Sequence, residues 1–249
     1  MKHFSKIAFI TIGIMISSLL IQSCSKINDQ DVSIYYPNAL VTAKHAADST
    51  FYLQLDDNTT LLPKNFKKSP FGNKEVRALV NFKEVEEESQ GYSKAVHINW
   101  IDSILTKATV PYSSDVDNEH IYGIDPVEIV YDWVTIAEDS YLTLRFRTNW
   151  GYTRKPHFVN LMTGVNEDDP YEVEFRHNAY GDIYGERGDA LVAFSLKDLP
   201  DTNGETVKLK LTWSSFSGKK SVVFDYRTNK ETKGSLALEN KNNFIQAIK

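Results

Sequence analysis

The chain has 249 residues, of which 41% are hydrophobic, 12% aromatic and 24% charged. With 12 glycines and 8 prolines this is globular composition, which excludes collagen-like and low-complexity chains. A formal charge of −5 argues against a nucleic-acid partner, because affinity for phosphates rests on Lys and Arg, and the single cysteine, Cys24, excludes an internal disulfide, a CxxC redox pair and a cysteine-rich zinc site.

Residues 1–23 read as a lipoprotein signal peptide. Lys2 and Lys6 form a positive start, and Ile7 to Ile21 form an apolar stretch shorter than the ~20 residues a spanning helix needs. Ile21-Gln22-Ser23-Cys24 resembles a bacterial lipobox, in which the Cys24 thiol is acylated and Cys24 becomes the new N-terminus. An ordinary secretory signal with an incidental cysteine is the bland alternative, and Gln22 is the least usual residue of the motif. One acyl chain holds a protein to a membrane only marginally, whereas the three of a bacterial lipoprotein hold it firmly. The expected location is the cell envelope, with the outer membrane favoured and the periplasmic or surface face open. Residues 24–34 read as a polar tether reaching at most about 35 Å.

Beyond the tether the dominant period is two, so the fold class is all-β. Residues 35–107 carry five strand-like runs: Ala39–Lys44, Thr50–Leu55, Thr59–Leu62, Glu75–Glu86 and Ser93–Leu105. Phe51, Leu53 and Leu55 alternate with Tyr52, Gln54 and Asp56, and Asp57-Asn58 suits a turn. These runs predict a small OB-like barrel. Residues 108–125 carry Pro, Gly, Ser and Asp punctuation and read as a linker. Residues 126–235 carry seven runs: Glu128–Ile136, Tyr141–Thr148, His157–Leu161, Tyr171–His177, Ala190–Leu196, Thr206–Trp213 and Ser221–Arg227. They predict an immunoglobulin-like β-sandwich with no cysteine pair to staple it. In the tail, 236–249, Phe244, Ile245 and Ile248 fall at helical spacing, either a short docking helix or a fraying end.

The chemical motifs are weak. Gly91-Tyr92-Ser93-Lys94-Ala95 lacks the last glycine of a nucleophile elbow, and Ser217-Gly218-Lys219-Lys220 reads as a turn rather than a catalytic S-x-x-K. Asp115–Glu119 and Asn166–Asp169 are oxygen-rich but do not follow the EF-hand pattern, so they read as solvated acidic loops. His45, His97, His120, His157 and His177 have no metal-site spacing, and structural roles come first. Arg187-Gly188-Asp189 reads as part of a glycine-rich turn with Gly181 and Gly185. No metal or cofactor site is expected. Asp48-Ser49-Thr50 fits an O-glycosylation acceptor pattern, which makes Ser49 a candidate modified residue; Asp102-Ser103-Ile104 is a weaker match. Tyr35, Tyr36, Tyr112, Tyr122, Trp150, Tyr152, Tyr180 and Tyr184 fall in loops or at segment ends. Such residues suit protein recognition or sugar stacking, or they fill loop-to-sheet contacts.

Read together, FYLQLDDNTTLLPKN (51–65), KEVRALVNF (74–82), EDSYLTLRFRTNWG (138–151), HFVNL (157–161), DPYEVEFRHNAYGD (169–182) and ALVAFSLKDLPDTNGETVKLKLTW (190–213) resemble the NigD-like bacterial lipoproteins. The resemblance implies an N-terminal OB domain, a C-terminal β-sandwich and acylation at Cys24, and it brings no catalytic residues. The family name comes from a bacteriocin operon in which a member was proposed to confer immunity. The expected function is a non-enzymatic envelope lipoprotein that binds a protein or glycan partner. The alternatives are bacteriocin-type self-protection, and a glycan-acting enzyme whose carboxylate pair would draw on residues such as Asp168 and Glu172.

Overall fold

A computed structural model of the protein describes residues 33–153 and 155–228. Cys24, the signal segment, most of the tether and the tail 236–249 lie outside the described residues.

The structure is all-β, as the period of two predicts. β1 (Ala39–His45), β2 (Phe51–Gln54), β3 (Thr60–Pro63), β4 (Val76–Glu84) and β5 (Lys94–Ser103) close a barrel in the order β1-β2-β3-β5-β4. Closure comes from the antiparallel pairing of β4 with β1, and β3 pairs β5 in parallel. Alternate residues point inward, so Val41, Ala43, Leu53, Leu61, Ala78, Val80, Val96 and Ile98 fill the interior. Alanines at several inward positions suit so small a bore. The β2–β3 turn is held by Asp56, whose Oδ1 accepts the backbone N–H of Asn58 and Thr59, each at 2.8 Å.

The run expected over Ser93–Leu105 stops at Ser103. Ile104 is buried and its N–H donates to Arg77 O, and β6 (Leu105–Ala108) then pairs in parallel with a sandwich strand. β7 (Val110–Pro111) joins the other sandwich sheet, and α1 (Asn118–Tyr122) follows, capped by Asp117 Oδ1, which accepts His120 N–H. The segment 108–125, read from its punctuation as a linker, is therefore bonded into the sandwich. A two-residue parallel edge strand carries no alternation to read.

Among the described residues, ten strands form two five-stranded sheets. The expected run 128–136 is broken at Tyr131–Thr135 into β8 (Glu128–Val130) and β9 (Ile136–Glu138), both paired with β10 (Tyr141–Trp150). β10 lies beside β13 (Glu186–Ser195) through ten residue pairs. The second sheet has the order β15-β14-β12-β11-β7, with β11 (Phe158–Thr163), β12 (Glu172–Asn178), β14 (Val207–Ser215) and β15 (Gly218–Tyr226). Leu142, Leu144 and Phe146 face Val159, Leu161, Phe175, Leu209, Leu211 and Trp213 in one core between the sheets. The alternation read in 142–147 and 207–213 is the alternation of that core.

The barrel and the sandwich meet around Arg77, whose side chain is wholly buried. Its Nε donates to Thr143 Oγ1 at 3.2 Å, Nη1 to Thr42 Oγ1 at 3.0 Å and Nη2 to Glu138 Oε1 at 2.6 Å. Lys44 Nζ reaches Asp139 Oδ1 at 2.6 Å, and Tyr141 Oη donates to Glu75 at 2.7 Å. The β9–β10 hairpin turn places Asp139 and Ser140 at positive φ (48° and 60°) without a glycine. Each such residue costs about 1–2 kcal/mol. The turn is held from both sides: Asp139 N–H donates to Asp57 Oδ1 of the barrel, and Ser140 O accepts Leu196 N–H. Leu40, Ile104, Val134 and Ala193 form a small apolar cluster beside these polar bonds. Arg77 is wholly buried and Glu138 largely so, so removing either partner would leave the other charge buried without its counter-ion.

Candidate functional site

β10 begins at the barrel and runs ten residues, about 30 Å, to the far end of the sandwich. There the β10–β11 connection (151–157) and the β12–β13 connection (179–185) lie side by side, joined by Gly151 N–H donating to Asp182 O at 2.9 Å. The segment after α1 runs alongside: Asp125 N–H donates to His177 O at 2.9 Å, and Asp125 Oδ2 accepts Ala179 N–H at 2.7 Å.

A buried polar chain supports these loops. Asp182 is buried, and its Oδ1 accepts both the N–H of Thr153 at 3.0 Å and its hydroxyl at 2.5 Å. These bonds, the hydroxyl foremost, hold the Asp182 carboxyl below the usual carboxylate range. Asp182 Oδ2 lies 3.5 Å from His157 Nε2. His157 Nδ1 is 3.0 Å from His177 Nε2, and His177 Nδ1 is 3.3 Å from the carbonyl of Asp125. Burial foremost, then the neighbouring His157, lowers the His177 pKa to about 4. His157 stacks on Trp150 with ring centroids 4.3 Å apart, and Trp150 Nε1 donates to Gly188 O at 3.0 Å.

Three glycines make room for this arrangement. A Cβ on Gly151 would sit 2.2 Å from Asp182 Oδ1, one on Gly185 1.8 Å from Trp150 O, and one on Gly188 2.8 Å from the indole. Tyr180 adopts φ 49°, followed by Gly181 at 79°, and its N–H is taken by Asn178 Oδ1. This tight corner turns the Tyr180 ring outward against Phe158, edge to face at 5.5 Å. Tyr152 and Tyr184 are 79% and 81% exposed, and Phe158 and Tyr180 about half exposed.

Of the eight loop aromatics singled out from sequence, Tyr152, Tyr180 and Tyr184 present their rings at this one end, and Trp150 braces it from beneath. Tyr112 is exposed beside β7, Tyr122 is half-buried in α1, and Tyr36 is half-buried and gives its carbonyl to Asn81. Tyr35 is exposed. Ser49 lies exposed in the β1–β2 turn with φ 68°, next to Asp48, whose Oδ1 accepts Thr50 N–H at 2.9 Å. Ser93 Oγ accepts Thr60 N–H, a barrel contact, and Ser217 lies in the β14–β15 hairpin. Arg187-Gly188-Asp189 is on strand β13 rather than in a turn, and Asp189 is engaged by Arg145 and Arg147. Asp168 is exposed, whereas Glu172 accepts Asn166 and Lys210 and is held low chiefly by Asn166. Among the described residues no group of three His, Cys, Asp or Glu is placed to hold a metal.

No spacing in the chain joins His157 to His177, and no motif includes Asp182. The histidines are 20 residues apart and come together because Val159 pairs with His177 across β11 and β12. Gly185 and Gly188 stand against Trp150 only in the fold, so no spacing in the sequence marks the site.

The NigD-like N-terminal OB domain matches residues 40–104, and the NigD-like C-terminal beta sandwich domain matches residues 108–226. A crystal structure of a protein from Parabacteroides distasonis described as toxin-related is 37% identical, covers 77% of this chain and 93% of its own, and superposes with a TM-score of 0.64. A protein of unknown function from Bacteroides vulgatus is 22% identical, with 78% and 92% coverage and a TM-score of 0.61. A NigD-like immunity protein from Bacteroides caccae is 19% identical, with 76% and 96% coverage and a TM-score of 0.53, and shares the fold. No curated protein sequence matches the chain significantly. With both domains matched in order and a 37% identical relative spanning both, the chain belongs to the NigD-like family.

Proposed function

We propose that this protein is a non-enzymatic binding protein of the cell envelope, anchored by lipid on Cys24, that presents the far end of its sandwich to a protein partner. The observation that carries this reading is the exposure of Tyr152, Tyr180, Tyr184 and Phe158 on two adjacent, tightly braced loops. Tyrosines on rigid loops at one end of a β-sandwich supply contact area at low entropic cost, as in antibody paratopes. A protein partner suits this end better than a glycan, because the exposed aliphatics Ile121 and Ile124 flank the same segment. The absence of an enzymatic role is supported by Glu172, which is held low by its partners rather than raised as a general acid requires. Among the described residues no helix is long and apolar enough to cross a membrane, which fits attachment through the N-terminus. Ser49, exposed in its turn, is accessible to the O-glycosylation its sequence suggests.

The test is photo-crosslinking in cells from positions 152 and 184, with position 131 as an exposed control. The reading expects one protein adduct common to 152 and 184 and absent at 131. Adducts to glycan alone, or equal labelling at 131, contradict it. A narrower reading, self-protection against a secreted toxin, is favoured by the 37% identical relative described as toxin-related. It expects a deletion strain to lose resistance to the cognate toxin, and unchanged sensitivity contradicts it. The anchor has its own test: Cys24→Ala should leave an unacylated precursor of higher mass.

A further inference from the structure

Between Lys107 and Arg145 the chain carries eight carboxylates and no Lys or Arg. Most of these carboxylates are held: Asp125 Oδ2 accepts Ala179 N–H, Glu128 pairs with Lys220, Asp132 with Arg145, Glu138 with Arg77 and Asp139 with Lys44. Asp115, Asp117 and Glu119 are different. They are exposed around α1 and, among the described residues, take part in no ion pair. The helix itself is turned the wrong way round for one that only packs on its own sheet. It buries Asn118, whose Nδ2 donates to Ser113 O at 2.7 Å and to Val116 O at 3.2 Å, and it shows Ile121 to water. Packing on a core favours the reverse. Val116 and Ile124, on either side of the helix, and Phe158 at the start of β11 are, like Ile121, close to half exposed. Gly123 brings the helix segment to the strand: a Cβ there would lie 2.6 Å from Asn178 Cβ, and Asn178 is the register partner of Phe158.

We propose that this face of α1 is the docking surface for a cationic amphipathic segment of the partner protein. The apolar side of that segment would cover Val116, Ile121, Ile124 and Phe158, and its Lys or Arg side chains would meet Asp115, Asp117 and Glu119. The inference rests on the reading of the adjacent tyrosine loops as the binding end and names the chemistry of what they bind.

The charge selects the occupant. An anionic lipid surface meets three carboxylates without counter-ions and is repelled. A second copy docking by the same face fares no better, because a two-fold contact sets those carboxylates against themselves. A cationic segment brings the missing charge, and the exposed aliphatics give it an apolar surface to cover. The nearby lysines do not neutralise the rim. Lys107 Nζ is turned to Val159 O and Asn160 Oδ1, and Lys155 Nζ to Tyr180 O at 3.4 Å. The basic and apolar halves of the partner segment are both needed, since the carboxylates and the aliphatics alternate along 115–124.

The test is fluorescence anisotropy with the full-length protein at about pH 8, where ordinary histidines are neutral. The probe is a labelled amphipathic helical peptide of Leu and Lys, compared with the same peptide carrying Glu for Lys. The lysine peptide should bind, more weakly by about tenfold at ~300 mM than at ~50 mM salt, and the glutamate peptide should not. Ile121→Ser/Ile124→Ser should weaken binding by about tenfold or more, and Val223→Ser, an exposed valine on β15, by less than about twofold. Asp115→Asn/Glu119→Gln should weaken it by about fivefold, and Glu167→Gln/Asp168→Asn, which removes the same charge from an exposed loop elsewhere, by less than about twofold. No binding of the lysine peptide, equal losses in the two charge variants, or full binding in Ile121→Ser/Ile124→Ser overturns the proposal. Tighter binding in Phe244→Ser/Ile245→Ser also overturns it, because the face would then belong to the chain's own tail. The two proposals fail separately. An adduct at positions 152 and 184 to a partner with no basic amphipathic segment removes this one and keeps the binding reading. Peptide docking on α1 in a protein whose positions 152 and 184 crosslink nothing does the opposite.

Discussion

The two ends of strand β10 use buried polar groups for opposite purposes. At Tyr141 the partners come from another domain: Arg77, Lys44 and Glu75 of the barrel meet Thr143, Glu138, Asp139 and Tyr141. Burial raises the Glu138 carboxyl and Arg77 pulls it back, so the pair holds only while both members are present. At Trp150 the partners come from neighbouring loops of the same domain, and the buried chain ends beneath exposed rings. One end of the strand joins domains. The other lies beneath exposed rings, and its chain includes His177, whose pKa burial lowers to about 4.

The largest effect expected is at the domain junction. Arg77→Ala should cost about 3–5 kcal/mol in urea unfolding, because it strands Glu138. Adding Glu138→Leu to Arg77→Met should recover much of that loss, and if it recovers none the junction is not held by this pair. The far end should respond to acid instead. His177 has a folded pKa of about 4 against an ordinary 6.5, so the unfolded chain takes up its proton first as pH falls. Its contribution is therefore fully present above about pH 6.5 and is lost as pH drops toward 4, by on the order of 3 kcal/mol in total. His177→Gln should flatten that part of the stability-versus-pH curve, and a curve of unchanged slope would remove His177 as its source.

Gly185→Ala should cost about 1–3 kcal/mol and speed proteolysis within 179–185, since its methyl has to displace Trp150 O. The smallest stability effect belongs to the display itself: Tyr152→Ser and Tyr184→Ser should each change stability by about 0.5 kcal/mol or less. The ordering Arg77, His177, Gly185, Tyr184, measured by one unfolding method at neutral and acid pH, separates groups that hold the fold from groups that are only shown by it.

Much of the architecture is legible in the sequence, where alternation directly reflects packing. Leu142, Leu144 and Phe146, or Val41 and Ala43 beside Leu53, announce strands with one face in a core. The strands that escape reading are those without a periodic signal: β7 has two residues, and β6 continues a barrel strand after one buried isoleucine. Thr143 reads as an outward residue because it alternates with Leu142 and Leu144, yet it is buried, since its outward face meets the barrel. The tyrosines of the far end were visible as loop aromatics, but their convergence was not, because it depends on loops crossing between sheets. Asp182, His157 and His177 come from different elements and share no spacing.

If the far end of the sandwich, and not the barrel, is the working surface, partner capture depends on Tyr152 and Tyr184. The barrel carries its own tyrosine pair, Tyr52 and Tyr92, half-buried with ring centroids 5.3 Å apart, which makes a control on the other domain. In-cell cross-linking with mass spectrometry at native expression should compare Tyr152→Ser/Tyr184→Ser with Tyr52→Ser/Tyr92→Ser. The first variant should lose the partner adduct seen with the wild-type protein while the second keeps it. Loss in the barrel variant with retention in the sandwich variant would move the working surface to the barrel.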